Sequence, residues 1–343
     1  MLASLARVFS IRTTVGPAYI RPSVFLVFLV TASLILVSGL RNNIGDTFFY
    51  MHGYSVNDFS LQNISLAGDF GFTMLQALLH QISSDPQILI FVTALITNAL
   101  IMTVLFKYCR MIELAVFFYI TSGLYIVSMN GIRQFLAASI LFAATKFVLN
   151  GDWKKYIAVV LFASMFHKSA LILLPIYFVV RREAWTKMTM LLIACAILIA
   201  VGFSSFSSVL FAVIENSHYG VYQNFNEGGA NILRVLVNAV PIVIAFLGRH
   251  KLRELWPQSD YIVNFALLSN VFLVIATQNW IFARFNIYFG LYNIILISWI
   301  VKLFVESNRS LIYYGMIICY AIYFYYEQFI SLGLIYESDY LSF

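Results

Sequence analysis

Apolar residues form runs of about 20 along this chain, and short polar or charged segments separate the runs. A helix of that length crosses the roughly 30 Å hydrocarbon core of a bilayer. The pattern therefore predicts an all-α polytopic membrane protein with about nine to ten transmembrane helices. The predicted spans are 22–40, 88–106, 112–129, 132–149, 186–203, 231–248, 260–278, 281–301 and 310–328.

The apolar segment 154–180 does not fit this scheme. It is long for one span and short for two, and the residues FHKS at 166–169 interrupt it. Basic residues mark the cytoplasmic ends of spans, and a single crossing here would place every later basic cluster outside. We therefore predict a re-entrant or split-helix hairpin at 154–180 with His167 and Lys168 at its tip. Such a break is tolerated at membrane depth only inside protein or beside a wet cavity.

This threading gives one integral membrane domain, residues 1–343, with a cytoplasmic N-terminus. The outer loops are 41–87 and 204–230, and the C-terminal tail from Glu327 lies outside. Residues 70–82 are weakly amphipathic, so we expect part of the first loop to lie along the interface. Glu337 and Asp339 in the tail are interpreted as a solvated terminus.

Composition excludes several classes of function. The chain is 62% hydrophobic and only 10% charged, too apolar for a soluble globule. Its net charge of +6 comes from basic residues that punctuate apolar runs, which argues against nucleic acid. The three cysteines are scattered, so neither a disulfide framework nor a zinc site is predicted. No Asp-x-Asp motif of a metal-dependent nucleotide-sugar enzyme is present, and we expect no cofactor.

A few basic residues contradict the orientation rule, because they fall on the predicted outer side. Three of them lie in the first turn of a span that starts there, where a cation opposes the helix dipole at a cost of about 0.3–1 kcal/mol. An anion bound at the site would offset that cost, since guanidinium groups and helix N-termini bind phosphate. A single such arginine commonly snorkels to lipid phosphate, but the set favours an outward-facing diphosphate cradle. Its members are Arg41, Arg133, Lys168, Arg234 and Arg284, of which Arg133, Arg234 and Arg284 lie in first turns.

Two further residues are candidates for acid–base chemistry. A lone histidine among apolar neighbours is often a packed residue, but His167 lies beside Lys168 in a membrane hairpin, where ionisable groups are expensive to keep. Asp46 follows Arg41 closely and is equally compatible with a turn or salt-bridge role. Glu215 and Glu227 in the second outer loop are less specific alternatives.

Several segments resemble one family. Residues 130–137 (NGIRQFLA), followed about 30 positions later by 166–170 (FHKSA), resemble the signature of EpsG-family, Wzy-type polysaccharide polymerases. Arg41 with Gly45-Asp46 and Tyr50 is similar to that family's first outer loop. Residues 69–72 (DFGF) resemble its acidic-Gly-Phe element, with Asp where Glu is more usual. Residues 283–285 (ARF) with Tyr288 resemble its late Arg-to-Tyr element, and 229–234 a further one.

The resemblance implies polymerisation of exopolysaccharide, capsule or O-antigen repeat units carried on undecaprenyl diphosphate, at the periplasmic face of the bacterial inner membrane. A diphosphate leaving group needs charge neutralisation more than protonation, and guanidinium groups supply it without a metal. The acceptor hydroxyl needs a base, for which His167 and Asp46 are the candidates. The expected partners are lipid-linked donor and acceptor, the bilayer and a chain-length regulator protein. The predicted catalytic residues are His167, Asp46 and Arg133, and the predicted diphosphate- or substrate-binding residues are Arg41, Arg133, Gln134, Lys168, Arg234, Arg284 and Tyr288.

Three other functions remain open from the sequence. An O-antigen-type ligase uses the same donor and a similar cationic site. A lipid-linked oligosaccharide flippase or transporter is the non-enzymatic alternative, and it predicts broken helices in matching halves. A membrane acyltransferase would need a cytoplasmic entry for its thioester substrate, for which no segment is evident.

Overall fold

The computed structural model describes residues 1–12, 20–59, 68–203 and 229–341. Helices account for nearly all regular structure in these ranges, and the strands are one short antiparallel pair, β1 (Ile11–Arg12) and β2 (Ile20–Arg21). The helices are α1 (Leu2–Val8), α2 (Val24–Gly39), α3 (Thr47–Val56), α4 (Phe70–His80), α5 (Gln87–Tyr108), α6 (Ile112–Thr121), α7 (Leu124–Asn130), α8 (Ile132–Ala143), α9 (Thr145–Asn150), α10 (Trp153–Ser164), α11 (Leu173–Val180), α12 (Lys187–Val201), α13 (Ile232–Leu247), α14 (Arg249–Leu255), α15 (Ser259–Ala276), α16 (Ala283–Ile300) and α17 (Glu306–Phe324). Three 3-10 helices, Lys168–Ile172, Trp280–Phe282 and Val301–Leu303, and a π-helix, Tyr325–Ser331, adjoin them.

The polytopic all-α fold is confirmed, because a helix or bent helix pair lies at each of the nine predicted spans. Within the described ranges, four helices are long and apolar enough to cross a membrane, and bent pairs raise the number to six. The pair α6 and α7 bends by 53°, at Gly123, whose φ of +84° suits glycine. The pair α13 and α14 bends by 81° at Gly248. Shorter apolar helices occupy the predicted spans 22–40 and 186–203.

The hairpin at 154–180 is also confirmed. Helix α10 ends at Ser164, the chain turns, and the 3-10 helix from Lys168 leads into α11. The 12 residues of α10 reach roughly 18 Å, well short of a bilayer core. His167 has extended backbone, with φ −156°, and caps the 3-10 helix that follows. The break thus falls at the residues that interrupt the apolar run.

The described residues form two compact units. The first contains Met1–Phe178 and Ile297–Phe343, and the second contains Val179–Leu296. The prediction of a single membrane domain stays a prediction. Most of the second predicted outer loop, including Glu215 and Glu227, lies outside the described residues.

The first unit has an apolar core that fixes the two helices after the first span. Tyr54 of α3 and Phe72 of α4 are buried in one cluster with Leu89 of α5, to which Ile132 and Leu136 of α8 also belong. The apolar face of α4 therefore packs on protein. This packing brings the start of α3, the start of α4 and the start of α8 to one place.

The C-terminal tail docks on the turn that follows α2. Tyr336 Oη donates to the Val37 carbonyl at 2.8 Å, and the Asn42 N–H donates to the Glu337 carbonyl at 3.1 Å. Asn43 binds the tail twice, at the Glu337 N–H and the carbonyl of Ile335. The side chains of Glu337 and Asp339 are exposed, but Asp339 Oδ1 also accepts from Asn42 Nδ2 at 2.8 Å, so the tail is held in place. Residue patterns did not predict this contact, because five of its six hydrogen bonds have a backbone group as one partner, and every residue type supplies such a group.

Candidate functional site

The two segments that carry the sequence signature meet in the first unit. Arg133 and Gln134 lie in the first turn of α8, and the hairpin tip contacts this turn. The buried Gln134 side chain donates from Nε2 to Ser169 Oγ at 3.4 Å. Of the predicted site residues, Asp46, Arg133, Gln134, His167 and Lys168 are brought together here.

Arg133 is oriented by an acid and two aromatic rings. Its NH1 pairs with Asp69 Oδ2 at 3.0 Å, and its Nε lies 3.5 Å from Tyr50 Oη. The rings of Tyr50 and Phe72 lie 5.8 and 5.9 Å from the guanidinium carbon. The side chain is 43% exposed, and its NH2 makes no hydrogen bond to the described residues. Arg133 therefore presents a fixed, accessible edge to an anion.

Asp69 is a site residue that the sequence interpretation missed. Its Oδ2 binds Arg133, and its Oδ1 accepts the backbone N–H of Lys168 at 3.1 Å. The carboxylate thus bridges the first turn of α8 and the hairpin tip. The available signal was the resemblance of residues 69–72 to the acidic-Gly-Phe element, which gave no role to the acid.

His167 uses Nδ1 as a hydrogen-bond acceptor. The Ser169 N–H donates to Nδ1 at 3.3 Å, and Ser169 Oγ lies 2.7 Å from the same nitrogen. An Nδ1 that accepts from an N–H carries no proton, so the neutral imidazole has its proton on Nε2. A neutral His167 therefore carries its N–H at Nε2. This arrangement favours Asp46 over His167 as the base.

Asp46 opens α3 beside the start of α8. Its N–H donates to Asn130 Oδ1 at 2.9 Å, and its charge is close enough to interact with that of Arg133. Within the described ranges its carboxylate accepts no hydrogen bond. The two preceding residues, Ile44 and Gly45, have φ of +71° and +56°. The left-handed conformation is costly for a β-branched residue, and such strain concentrates at functional positions.

Arg41 lies behind this turn and is enclosed by protein. It is 1% exposed, and its guanidinium donates to the carbonyls of Ser38 and Met129 and to Thr47 Oγ1. Burial lowers the pKa of Arg41 to about 10, so it is charged at neutral pH. Its role in diphosphate binding stays a prediction, and its contacts favour tying the turn before α3 to the end of α7.

The remaining predicted residues belong to the second unit. Arg234 lies in the first turn of α13, which Asn231 caps by accepting the Leu233 N–H at 2.9 Å. The Arg284 guanidinium lies 5.0 Å from the ring centre of Trp280. Tyr288, one turn after Arg284, is buried. That these three residues join Arg133 in one cradle stays a prediction.

Among the residues that the structure describes, no three or more His, Cys, Asp or Glu side chains are grouped as a metal site. The charged and hydrogen-bonding groups at the described site are a guanidinium, an ammonium, an imidazole and two carboxylates.

Comparison with known proteins adds one match. The sequence model of a protein family, described as EpsG family, matches residues 24–339, nearly the whole chain. Neither the curated proteins nor the solved structures give a match. The matched range contains every predicted site residue.

Proposed function

The chain belongs to the EpsG family of Wzy-like polysaccharide polymerases, and from this premise we propose that it joins undecaprenyl-diphosphate-linked oligosaccharide units at the periplasmic face of the bacterial inner membrane. The donor is a glycan on lipid diphosphate, and the acceptor is a hydroxyl of an incoming lipid-linked unit. The observation that carries the proposal is the accessible edge of Arg133, which Asp69 joins to the backbone of the exposed Lys168 and whose charge interacts with that of Asp46.

In the proposed transfer, the acceptor oxygen bonds to the anomeric carbon of the donor while the bond from that carbon to the diphosphate oxygen breaks. Asp46 takes the proton of the acceptor hydroxyl. The bonding electron pair leaves with the lipid diphosphate, whose charge Arg133 and Lys168 stabilise. The Nε2–H of His167 donates a hydrogen bond to a substrate oxygen. The two substrates and these residues account for every bond, electron pair and proton in this step, so the proposed transfer requires no cofactor.

The first test is genetic. The gene is deleted in its native host and replaced by wild type, Arg133→Ala or Arg309→Ala, with membrane abundance measured for each. Arg309 is a matched control, because it too lies in the first turn of a helix and pairs with an acid, Glu306, at 2.8 Å. We expect wild type and Arg309→Ala to restore the surface polysaccharide ladder, and Arg133→Ala to leave single units.

The outcomes separate the alternatives. Long chains that persist without attachment to their final carrier would indicate a ligase. Lipid-linked units that accumulate on the cytoplasmic face would indicate a flippase. A full ladder from normally abundant Arg133→Ala would show that polymerisation does not require Arg133, the central residue of the proposal.

The base is tested by Asp46→Asn. Loss of a general base typically lowers turnover by about 10²- to 10⁴-fold, so we expect long chains to disappear. Asp85→Asn is the control, because an asparagine oxygen can still accept the Gln87 N–H that Asp85 accepts at 2.9 Å. Chains of wild-type length from Asp46→Asn would exclude Asp46 as the base.

A further inference from the structure

We infer that Asp69 is a positioning residue, which holds the guanidinium of Arg133 and the hairpin tip in the geometry that transfer requires. The inference rests on the proposed function, because it concerns how that site is kept in register. Its basis is the bridge described above: one carboxylate oxygen on Arg133 NH1 at 3.0 Å and the other on the Lys168 N–H at 3.1 Å.

The bridging role is distinct from the ordinary role of aspartate at this position. Asp69 is the N-cap of α4, where an aspartate usually accepts an N–H of the first helical turn. Its side chain makes no such bond. The first-turn N–H groups of Phe72 and Thr73 donate to the Asp69 carbonyl instead. The carboxylate is thereby left to bind two other elements.

Backbone contact keeps the carboxylate in place. The Gly71 N–H donates to the Met165 carbonyl at 2.7 Å, which joins the start of α4 to the end of α10. A Cβ at Gly71 would lie 2.8 Å from Met165 Cβ and 3.0 Å from its carbonyl carbon. The side chain of Asp69 is only 16% exposed. Neither helix can slide without moving the carboxylate relative to its partners.

The pairing also carries an electrostatic cost for anion binding. A carboxylate on NH1 offsets part of the charge that Arg133 offers to a diphosphate. Asp69 therefore lowers the affinity for the anion while it fixes the edge that the anion meets. A residue retained only for fold stability would have no such opposing effects on affinity and turnover.

The experiment compares Asp69→Asn with wild type in the full-length protein. Asparagine retains an oxygen for the Lys168 N–H but removes the charge next to Arg133. We expect undecaprenyl diphosphate, used as the probe, to bind as tightly as to wild type or more tightly. Polymerisation should fall on the order of 10²-fold, the scale of an ångström-sized misplacement. Wild-type chain formation by Asp69→Asn, or probe affinity reduced in parallel with activity, would overturn the inference.

A second measurement does not depend on activity. Hydrogen exchange of the hairpin-tip amides is compared in purified Asp69→Asn and Asp69→Ala. We expect protection near Lys168 to persist with asparagine and to be lost with alanine. Equal protection in both variants would contradict the bridge. If Asp69→Asn does not accumulate, Asp69→Glu and Asp69→Gln replace the comparison. Glutamate should then support chains and glutamine should not, and equal activity would overturn the inference.

Failure of the inference and failure of the proposed function are distinguishable. If the protein is not a polymerase, its deletion leaves unattached long chains or cytoplasmic lipid-linked units, while the exchange result at the hairpin tip still stands. If only the inference is wrong, Arg133→Ala abolishes the ladder and Asp69→Asn does not.

Discussion

At the scale of single residues, the two ring nitrogens of His167 have different roles in the proposal, a structural hydrogen bond at Nδ1 and a substrate contact at Nε2. Its Nδ1 caps the 3-10 helix by accepting the Ser169 N–H, so a neutral ring carries its proton on Nε2, the nitrogen to which we assign the substrate contact. Asn279 makes the same kind of cap in the second unit, where its Oδ1 accepts the Ile281 N–H at 3.0 Å. An asparagine thus forms this kind of cap elsewhere in the same chain, so asparagine at position 167 should be able to form it as well.

This precedent supports a specific test at His167. We expect His167→Asn to reach normal membrane abundance, because the cap persists, and to lose long-chain polysaccharide, because Nε2–H is gone. His167→Gln, whose amide reaches farther, should retain more activity than His167→Asn. Gel analysis of the polysaccharide, normalised to protein level, checks both. If Nε2 acted as a base, the two variants would be equally inactive.

Arg41 and Asp69 illustrate what residue patterns could not predict. The sequence identified Arg41 as a basic residue on the wrong side, but the turn folds its guanidinium onto the Ser38 and Met129 carbonyls. Whether a cation meets substrate or backbone depends on that turn, which has no hydropathy signal. Asp69 was inconspicuous because an acid before a helix is usually a cap. In contrast, the two segments that Gln134 and Ser169 bring into contact were both identified as motifs in the sequence, although the contact itself was not predicted.

At the scale of elements, the turn between α2 and α3 decides where Asp46 points. Gly45 has φ +56°, and a Cβ there would overlap with the side chain of Asn130, the acceptor of the Asp46 N–H. The turn therefore needs glycine both for its conformation and for the close approach of α7.

The corresponding prediction compares two glycines. Gly45→Ala should destabilise the protein by about 1–2 kcal/mol from backbone strain alone, and it should displace Asp46 and reduce chain formation. Gly53→Ala lies within α3 with its nearest contact at 3.6 Å, and it should stabilise the helix by up to about 1 kcal/mol. Thermal unfolding of detergent-purified protein, with the polysaccharide gel, tests the pair. Equal behaviour of the two variants would contradict the role of the turn.

The helices themselves were predictable because their signal is strong. A run of about 20 apolar residues favours a helix in a bilayer, because a helix pairs its own backbone groups and a membrane strand needs only about half that length. The hairpin was predictable because the basic residues after it, such as Arg181, fix the parity of crossings. The bends at Gly123 and Gly248 were not predicted, because glycine is common in membrane helices and seldom indicates an angle by itself.

At the scale of the whole molecule, the C-terminal tail supports the turn that carries Arg41 and Asp46. Deletion of residues 335–343 removes the bonds to Val37, Asn42 and Asn43. We expect it to reduce polymerisation while the protein still inserts, since the tail follows the last predicted span. Deletion of residues 341–343 is the control and should have little effect. Normal chain length from the larger deletion would show that the turn holds without the tail.

The same contact limits the number of times that the chain can cross the membrane between the turn and the tail. Segments that hydrogen-bond to each other lie on one side of a bilayer, so an even number of crossings must separate Asn43 from Ile335. The eight predicted spans between them satisfy this condition when the hairpin at 154–180 returns to its starting side. A hairpin that crossed once would make the number odd and would carry the tail to the opposite compartment. A chain in which one helix failed to cross would therefore have Asn43 and Ile335 on opposite sides of the bilayer, and its tail could not dock.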